Sequence, residues 1–246
     1  MAMIVAGACG LLAGLLVGLT SMGGVLVLPA LVVLLGMTPH EAIPAAMASF
    51  VVPSAIALAV VHRRRQLDLP ACRATWAGAV PGALAGAALL PLVPVAVLLW
   101  GIVAMLAASA FRALARPHPP AGAGVEPSRA ELALASLGVG AVSALTGTGG
   151  PVTLMPILRW RGVEPRRAVM LCQAVALPVT GFASLGFAFG AALDWALVAV
   201  LAGSTTLGAV LGLAAAPRVS VAALSRLIGA MMAVAAAVIA ARLVLG

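Results

Sequence analysis

The chain has 246 residues, of which 64% are hydrophobic and 8% charged, with a mean hydropathy of +1.22; soluble domains are about half apolar and about a quarter charged, so a water-soluble globular fold is excluded and a lipid bilayer is the expected surrounding. The net charge of +8 rests on fourteen basic residues, all arginine. They fall in short gaps between apolar runs without interleaved aromatic rings, which argues against nucleic acid and for control of membrane topology. Cys9, Cys72 and Cys172 are isolated and odd in number, so neither a disulfide framework nor a metal or cofactor site is expected.

In chain order, apolar segments fall at about 3–20, 24–36, 42–61, 73–91 and 94–115, and again at about 131–146, 150–160, 168–190, 195–214 and 220–243. The first stretch has no basic region ahead of it, so it is expected to stay in the mature protein rather than be cleaved as a signal peptide. Between the two sets runs Arg116-Pro117-His118-Pro119-Pro120-Ala121-Gly122-Ala123-Gly124, which opposes helix and strand alike. The division is therefore a first membrane repeat at 1–115, a linker at 116–129 and a second repeat at 130–246. The runs are continuous rather than alternating, which excludes barrel strands and leaves helices as the way to satisfy the backbone in lipid. Segments 24–36 and 150–160 are short: at ~1.5 Å per residue they reach roughly 16–20 Å against a hydrocarbon core of ~30 Å. The expected fold is an all-α polytopic membrane protein of two inverted repeats, about five helical segments each, with re-entrant or broken helices at the glycine motifs. The short second helix favours six full spans and two re-entrant hairpins over two full crossings at each motif.

A glycine-rich motif occurs twice, as Leu19-Thr20-Ser21-Met22-Gly23-Gly24 and Leu145-Thr146-Gly147-Thr148-Gly149-Gly150, at an offset of 126 residues. The register extends to Gly14/Gly140, Gly36/Gly162, Pro39/Pro165, Ala42/Ala168 and the pairs Gly82-x-x-x-Gly86 and Gly208-x-x-x-Gly212. Glycine interrupting hydrophobic segments at matching points of two halves is the best sequence pointer to a transporter's binding site. The paired GxxxG patterns read as helix packing. Pro44, Pro53 and Pro178 are expected to kink the helices that follow the motifs.

Arginine tests the connectivity, because short cytoplasmic loops concentrate it, and it disfavours a rival of four crossings per half that would export the Arg159 to Arg167 cluster. With Arg63, Arg64, Arg65 and Arg73 inside, two crossings bring Arg112, Arg116 and Arg129 inside. If 131–160 enters and returns, Arg159, Arg161, Arg166 and Arg167 are inside too, and two more crossings place Arg218 and Arg226 there. Only Arg242 falls outside. Each half then crosses an odd number of times, so the second is inverted relative to the first and both termini lie outside the cytoplasm.

Gly23-Gly24 and Gly149-Gly150-Pro151 read as helix N-termini, since Pro suits the first helical position and unpaired N–H groups there attract anions. Thr20, Ser21, Thr146 and Thr148 supply hydroxyls that can donate to an oxyanion, or can bond their own helix carbonyls while the glycines merely allow close packing. Ser49 and Gln173, in the helices after the motifs, can line a cavity or bond a neighbouring helix. No Asp, Glu or His falls deep in a span, so no carboxylate proton relay is visible, and His40, His62 and His118 read as solvated. HExxH, GxSxG and a Walker lysine are absent from the sequence, which disfavours an intramembrane hydrolase or a single-chain ATP-driven pump.

The two motifs in register, the short segments after Gly24 and Gly150, and the Gly-x-x-Pro-x-x-Ala echoes at Gly36/Pro39/Ala42 and Gly162/Pro165/Ala168 resemble the TauE/SafE family over essentially the whole chain. The resemblance implies a bacterial inner-membrane permease of two inverted halves that exports sulfite or a small organosulfonate. Carried over by motif position, the implied site residues are Thr20, Ser21, Gly23, Gly24, Thr146, Thr148, Gly149 and Gly150. The copies differ at Ser21/Gly147 and Met22/Thr148, so an asymmetric site is expected, with alternating access as its mechanism. The partners expected are a small anion and the bilayer, and glycine-rich faces permit a homodimer. A passive channel for a small anion or solute, or a non-transporting membrane subunit, are the alternatives.

Overall fold

A computed structural model describes residues 2–20, 26–63, 67–114, 127–189, 193–215 and 221–245. Among them are eleven α-helices and no strand: α1 (Ala2–Thr20), α2 (Val27–Leu34), α3 (Pro39–Ser49), α4 (Val51–Arg63), α5 (Leu69–Leu89), α6 (Val95–Leu114), α7 (Arg129–Thr146), α8 (Pro151–Trp160), α9 (Pro165–Ala188), α10 (Trp195–Ala215) and α11 (Val221–Leu245). Four stretches are long and apolar enough to cross a membrane: Pro39–Arg63, Leu69–Leu92, Pro165–Ala188 and Trp195–Ala215. Shorter apolar stretches lie at Met3–Leu19, Val95–Phe111 and Gly229–Ala241.

Several helices begin before their apolar residues do, because their first turns are polar caps. Asp68 accepts a hydrogen bond from the Ala71 N–H at the start of α5. Asp194, which stands 126 positions later, accepts from the N–H groups of Ala196 and Leu197 at the start of α10. Ser128 and Glu131 bond each other's backbone N–H in a capping box on α7. Pro39 and Pro165 open α3 and α9 at the position where a missing N–H costs nothing. Hydropathy alone sees none of this and starts α3, α5, α7 and α9 two to four residues late, while α10 begins at Trp195 as expected. Ahead of both prolines the chain turns through a glycine in the left-handed region, Gly36 at φ 66° and Gly162 at φ 77°.

The segment expected at 42–61 is two helices, broken at Phe50. Pro53 has no N–H to give to the Ser49 carbonyl, and the Phe50 N–H is shared between the carbonyls of Ala46 and Met47 at 3.2 Å each. In α9, Pro178 likewise frees the carbonyl of Ala174, yet that helix runs unbroken. The reason is a neighbour: Trp76 Nε1 of α5 donates to the Ala174 oxygen at 2.8 Å, the kind of rescue by an adjacent helix that lets proline persist in membrane helices. Trp76→Phe keeps the ring and removes the donor, so the Ala174 carbonyl is left unpaired. The expected cost is about 1–3 kcal/mol, read as a lowered thermal midpoint of the detergent-solubilised protein.

The closest packing joins the two halves crosswise. Along α1 and α10, Gly10, Gly14 and Gly18 face Ser204, Thr205 and Ala209, while Gly208 and Gly212 face Leu11 and Leu15. Along α5 and α7, Gly78, Gly82 and Gly86 face Ala133, Leu137 and Ala141, while Gly140 faces Ala79. At most of these positions a methyl group would run into the partner's backbone, so the glycines bring two main chains together as expected for GxxxG faces. Residue numbers rise together along both pairs, so each pair is parallel. The first helix of each half thus lies against the fourth stretch of the other, and α6 packs on α11.

Helix α9 runs parallel to α5 as well. Contacts advance from Arg167–Asp68 (2.7 Å) through Met170–Cys72 and Ala174–Trp76 to Gly186–Ala87. At the opposite end of α5, His40 Nε2 lies 3.1 Å from the Leu90 carbonyl and 3.2 Å from that of Val93. This histidine is not the solvated side chain expected from its loop position; it ties the start of α3 to the short 3-10 turn Leu90–Leu92.

Candidate functional site

The second motif is a tight buried turn between α7 and α8. Gly147 ends α7 in the left-handed region (φ 65°), its N–H donating to the Ser143 carbonyl. Thr148 N–H reaches the same oxygen at 3.3 Å. Gly149 (φ 76°) and Gly150 (φ 101°) continue in backbone conformations that side chains disfavour, and Pro151 opens α8. Across the turn Ser143 Oγ and Thr153 Oγ1 lie 3.0 Å apart, and Arg161 at the end of α8 pairs with Glu131 in the first turn of α7 at 2.6 Å. The end of α8 therefore comes back beside the beginning of α7.

A cavity of about 50 Å³ opens at this turn. Thr148, Gly149, Pro151 and Val152 form one wall; Gln173, Ala176 and Thr180 of α9 form a second; Phe50, Pro53, Ser54 and Ala57 at the break between α3 and α4 form a third, and Val17 of α1 closes it. Since a water needs roughly 10–15 Å³ by this measure, the space takes about three to five water-sized groups, the scale of a small oxyanion. No charged residue among the described ones lines it. Two pairs of lining residues, Ser54/Thr180 and Phe50/Ala176, stand at the 126-residue offset, so equivalent helices of the two halves meet here through equivalent positions.

The donors differ in readiness. Thr180 Oγ1 gives its hydrogen to the Ala176 carbonyl at 2.9 Å, and Thr146 Oγ1 gives its own to that of Val142 at 2.7 Å. Thr148 Oγ1 lies 3.2 Å from Thr146 Oγ1, and because Thr146 has spent its hydrogen, Thr148 is the donor of that pair. Ser54 Oγ bonds no described residue. Nor is the main-chain N–H of Gly149 or Gly150 taken by a described group. Among the described residues, Ser54 and this glycine backbone thus have no acceptor to give up before they donate.

Of the residues singled out in the sequence, the cavity gathers Thr148, Gly149 and Gln173. Gly150 lies just behind its wall, with Val175 and Val179 of α9 close to the side-chain position it lacks. Gly147 faces Leu28 and Ile43 instead. Thr146 turns its hydroxyl back on its own helix, and Ser49, fully buried, bonds the Ala46 carbonyl at 2.7 Å; neither lines the cavity. Thr20 is the last residue of α1, and Ser21, Met22, Gly23 and Gly24 lie outside the described residues. Sequence reasoning missed Phe50, Ser54 and Thr180, and read Pro53 only as a kink. Ser54 and Thr180 carried a usable signal, being hydroxyl residues at the same offset as the motifs.

Among the described residues no group of three His, Cys, Asp or Glu side chains is placed to hold a metal ion. Comparison with curated proteins and with solved structures finds no match. The family model described as sulfite exporter TauE/SafE matches residues 6–239. A match of that extent, on a helical chain with four stretches able to span a bilayer, places this protein in the TauE/SafE family of membrane transporters.

Proposed function

We propose that the chain is a bacterial inner-membrane permease that moves a small sulfur oxyanion, sulfite or a short organosulfonate, by alternating access around the cavity at the second motif. The observation that carries this reading is the cavity itself: oxyanion-sized, free of charged side chains, and bordered by a helix start whose N–H groups and partial positive charge favour an anion. Ser54 and the glycine backbone offer the first hydrogen bonds. Thr148 and Thr180 join by rotating their hydroxyl hydrogens away from protein oxygens.

Two inverted halves fit the reading. Helix bounds recur at the 126-residue offset, with α5 at Leu69–Leu89 and α10 at Trp195–Ala215. The crosswise pairing of α1 with α10 and α5 with α7 relates the halves reciprocally. Helix α9 is parallel to α5, so α10, which follows α9 after a short connection, runs against its counterpart α5 if both span the bilayer. The Arg161–Glu131 pair supports the return of α8 to the side that carries Arg73 and Arg167, as both a re-entrant hairpin and a pair of crossings require. That side is the cytoplasm by the excess of arginine, and both termini are then external.

Proteoliposome flux tests the function: sulfite movement that saturates and is competed by methanesulfonate is expected, and its absence from the purified chain sinks the permease reading. Ser54→Ala should raise KM for sulfite about ten- to hundredfold, the loss of one hydrogen bond to a charged ligand. For topology, single cysteines at Arg64, Arg161 and Arg218, in a chain whose native cysteines are replaced, should all react from the cytoplasmic side. Arg161 reacting from the opposite side to Arg64 would end the inverted arrangement.

A further inference from the structure

A second site lies at the arginine-rich end, away from the cavity. Between the first turns of α5 and α7 is an open groove of about 490 Å³ lined by Pro70, Arg73, Ala74, Arg129 and Ala130. Both helices start here and run side by side in the same direction, so the partial positive charges of their first turns add. The carboxylates of these two turns are already engaged. Arg167 holds Asp68 at 2.7 Å and Arg161 holds Glu131 at 2.6 Å, while Asp68 also caps α5 and Glu131 accepts from the Ser128 N–H. Arg73 and Arg129 are exposed, and neither forms an ion pair with a described residue. Two guanidinium groups with no ion pair among the described residues therefore face one groove.

Below the groove the surface is apolar. Continuing one to three turns along the same helix faces, α5 exposes Ala77, Pro81 and Leu84, and α7 exposes Leu134 and Leu137. A soluble ion has no use for such a seam, whereas a lipid needs both parts. We infer that the groove seats the phosphodiester headgroup of an anionic phospholipid, with Arg73 and Arg129 on the phosphate oxygens and the acyl chains along the seam between α5 and α7. Basic recesses between membrane helices take lipid headgroups in this manner, each arginine near the surface contributing about fivefold in affinity.

The test uses the purified full chain in phosphatidylcholine nanodiscs, titrated with phosphatidylglycerol and read by native mass spectrometry for retained lipid. Selective retention of phosphatidylglycerol over phosphatidylcholine is expected, unaffected by millimolar inorganic phosphate. The double variant Arg73→Gln/Arg129→Gln should lose about thirtyfold in phosphatidylglycerol affinity, and each single variant about fivefold. The single variants decide the matter should the double variant fail to fold. Unchanged retention in both singles overturns the site. Displacement of phosphatidylglycerol by inorganic phosphate would instead assign the arginines to a free oxyanion and overturn the lipid.

Discussion

Replacing Gly140 by leucine is expected to prevent assembly of the folded protein, while the same change at Gly138, two residues away on α7, leaves it intact. A Cβ on Gly140 would lie 2.5 Å from the Ala79 carbonyl oxygen and 2.8 Å from the Ala83 nitrogen of α5, whereas nothing stands within 4 Å of one on Gly138. The colliding atoms at Gly140 are main chain and have no rotamer to retreat into, so the two helices must separate along a seam that also depends on Gly78, Gly82 and Gly86. Overpacking costs about 1–3 kcal/mol where side chains can yield, and about 3 kcal/mol or more is expected here. That is a large share of a net stability of about 5–15 kcal/mol. Monodisperse protein recovered in detergent measures it: Gly138→Leu should match the parent, Gly140→Ala should melt well below it, and Gly140→Leu should aggregate. Equal behaviour of the two leucine variants would contradict the packing described.

Gly150→Leu is expected to abolish flux without blocking membrane insertion. Gly150 sits at φ 101°, and a side chain there would press on Val175 and Val179 of α9. The strain costs about 1–3 kcal/mol, and the more serious effect is local: the start of α8 and the Gly149 N–H must shift, and with them the cavity wall. A fall in sulfite flux of more than about a hundredfold is expected, on the scale of a misplaced binding group, with Gly150→Ala intermediate. Cysteine accessibility at Arg161 should be unchanged in the variant, which separates a lost site from a lost fold. Persistent flux would remove the α8 start from the transport path.

Much of the helical layout was legible because lipid leaves continuous apolar runs with one way to bond their backbones. The helix starts of α5 and α7 were less so, since Asp68 and Ser128 act through cap hydrogen bonds that hydropathy does not register. The break at Phe50 illustrates a deeper limit. Pro53 and Pro178 look alike in the sequence, and their different outcomes depend on Trp76 arriving from another helix to bond Ala174, a contact 98 positions apart. The site was half legible for the same reason. Thr148, Gly149 and Gln173 carry the motif and its following helix, but Ser54 enters the cavity only because the chain breaks beside it. Thr146 shows the converse: its hydroxyl is of the right type and on the motif, and the nearest free acceptor, the Val142 carbonyl, takes it.

The crosswise glycine seams also bear on how such a chain is made and where it came from. Helix α1 finds its partner only when α10 has been synthesised, some two hundred residues later, so the first helix must wait in the membrane with an unmatched groove for most of translation. The same holds in reverse for a half-length chain. On its own it would carry one seam-forming face from its first helix and one from its fourth stretch, each made for the other half, and only a second copy could fill them. A gene of this kind is therefore simplest to picture as a fused dimer. Expressed today as two separate halves, it should yield nothing stable from either alone and an assembled protein from both together.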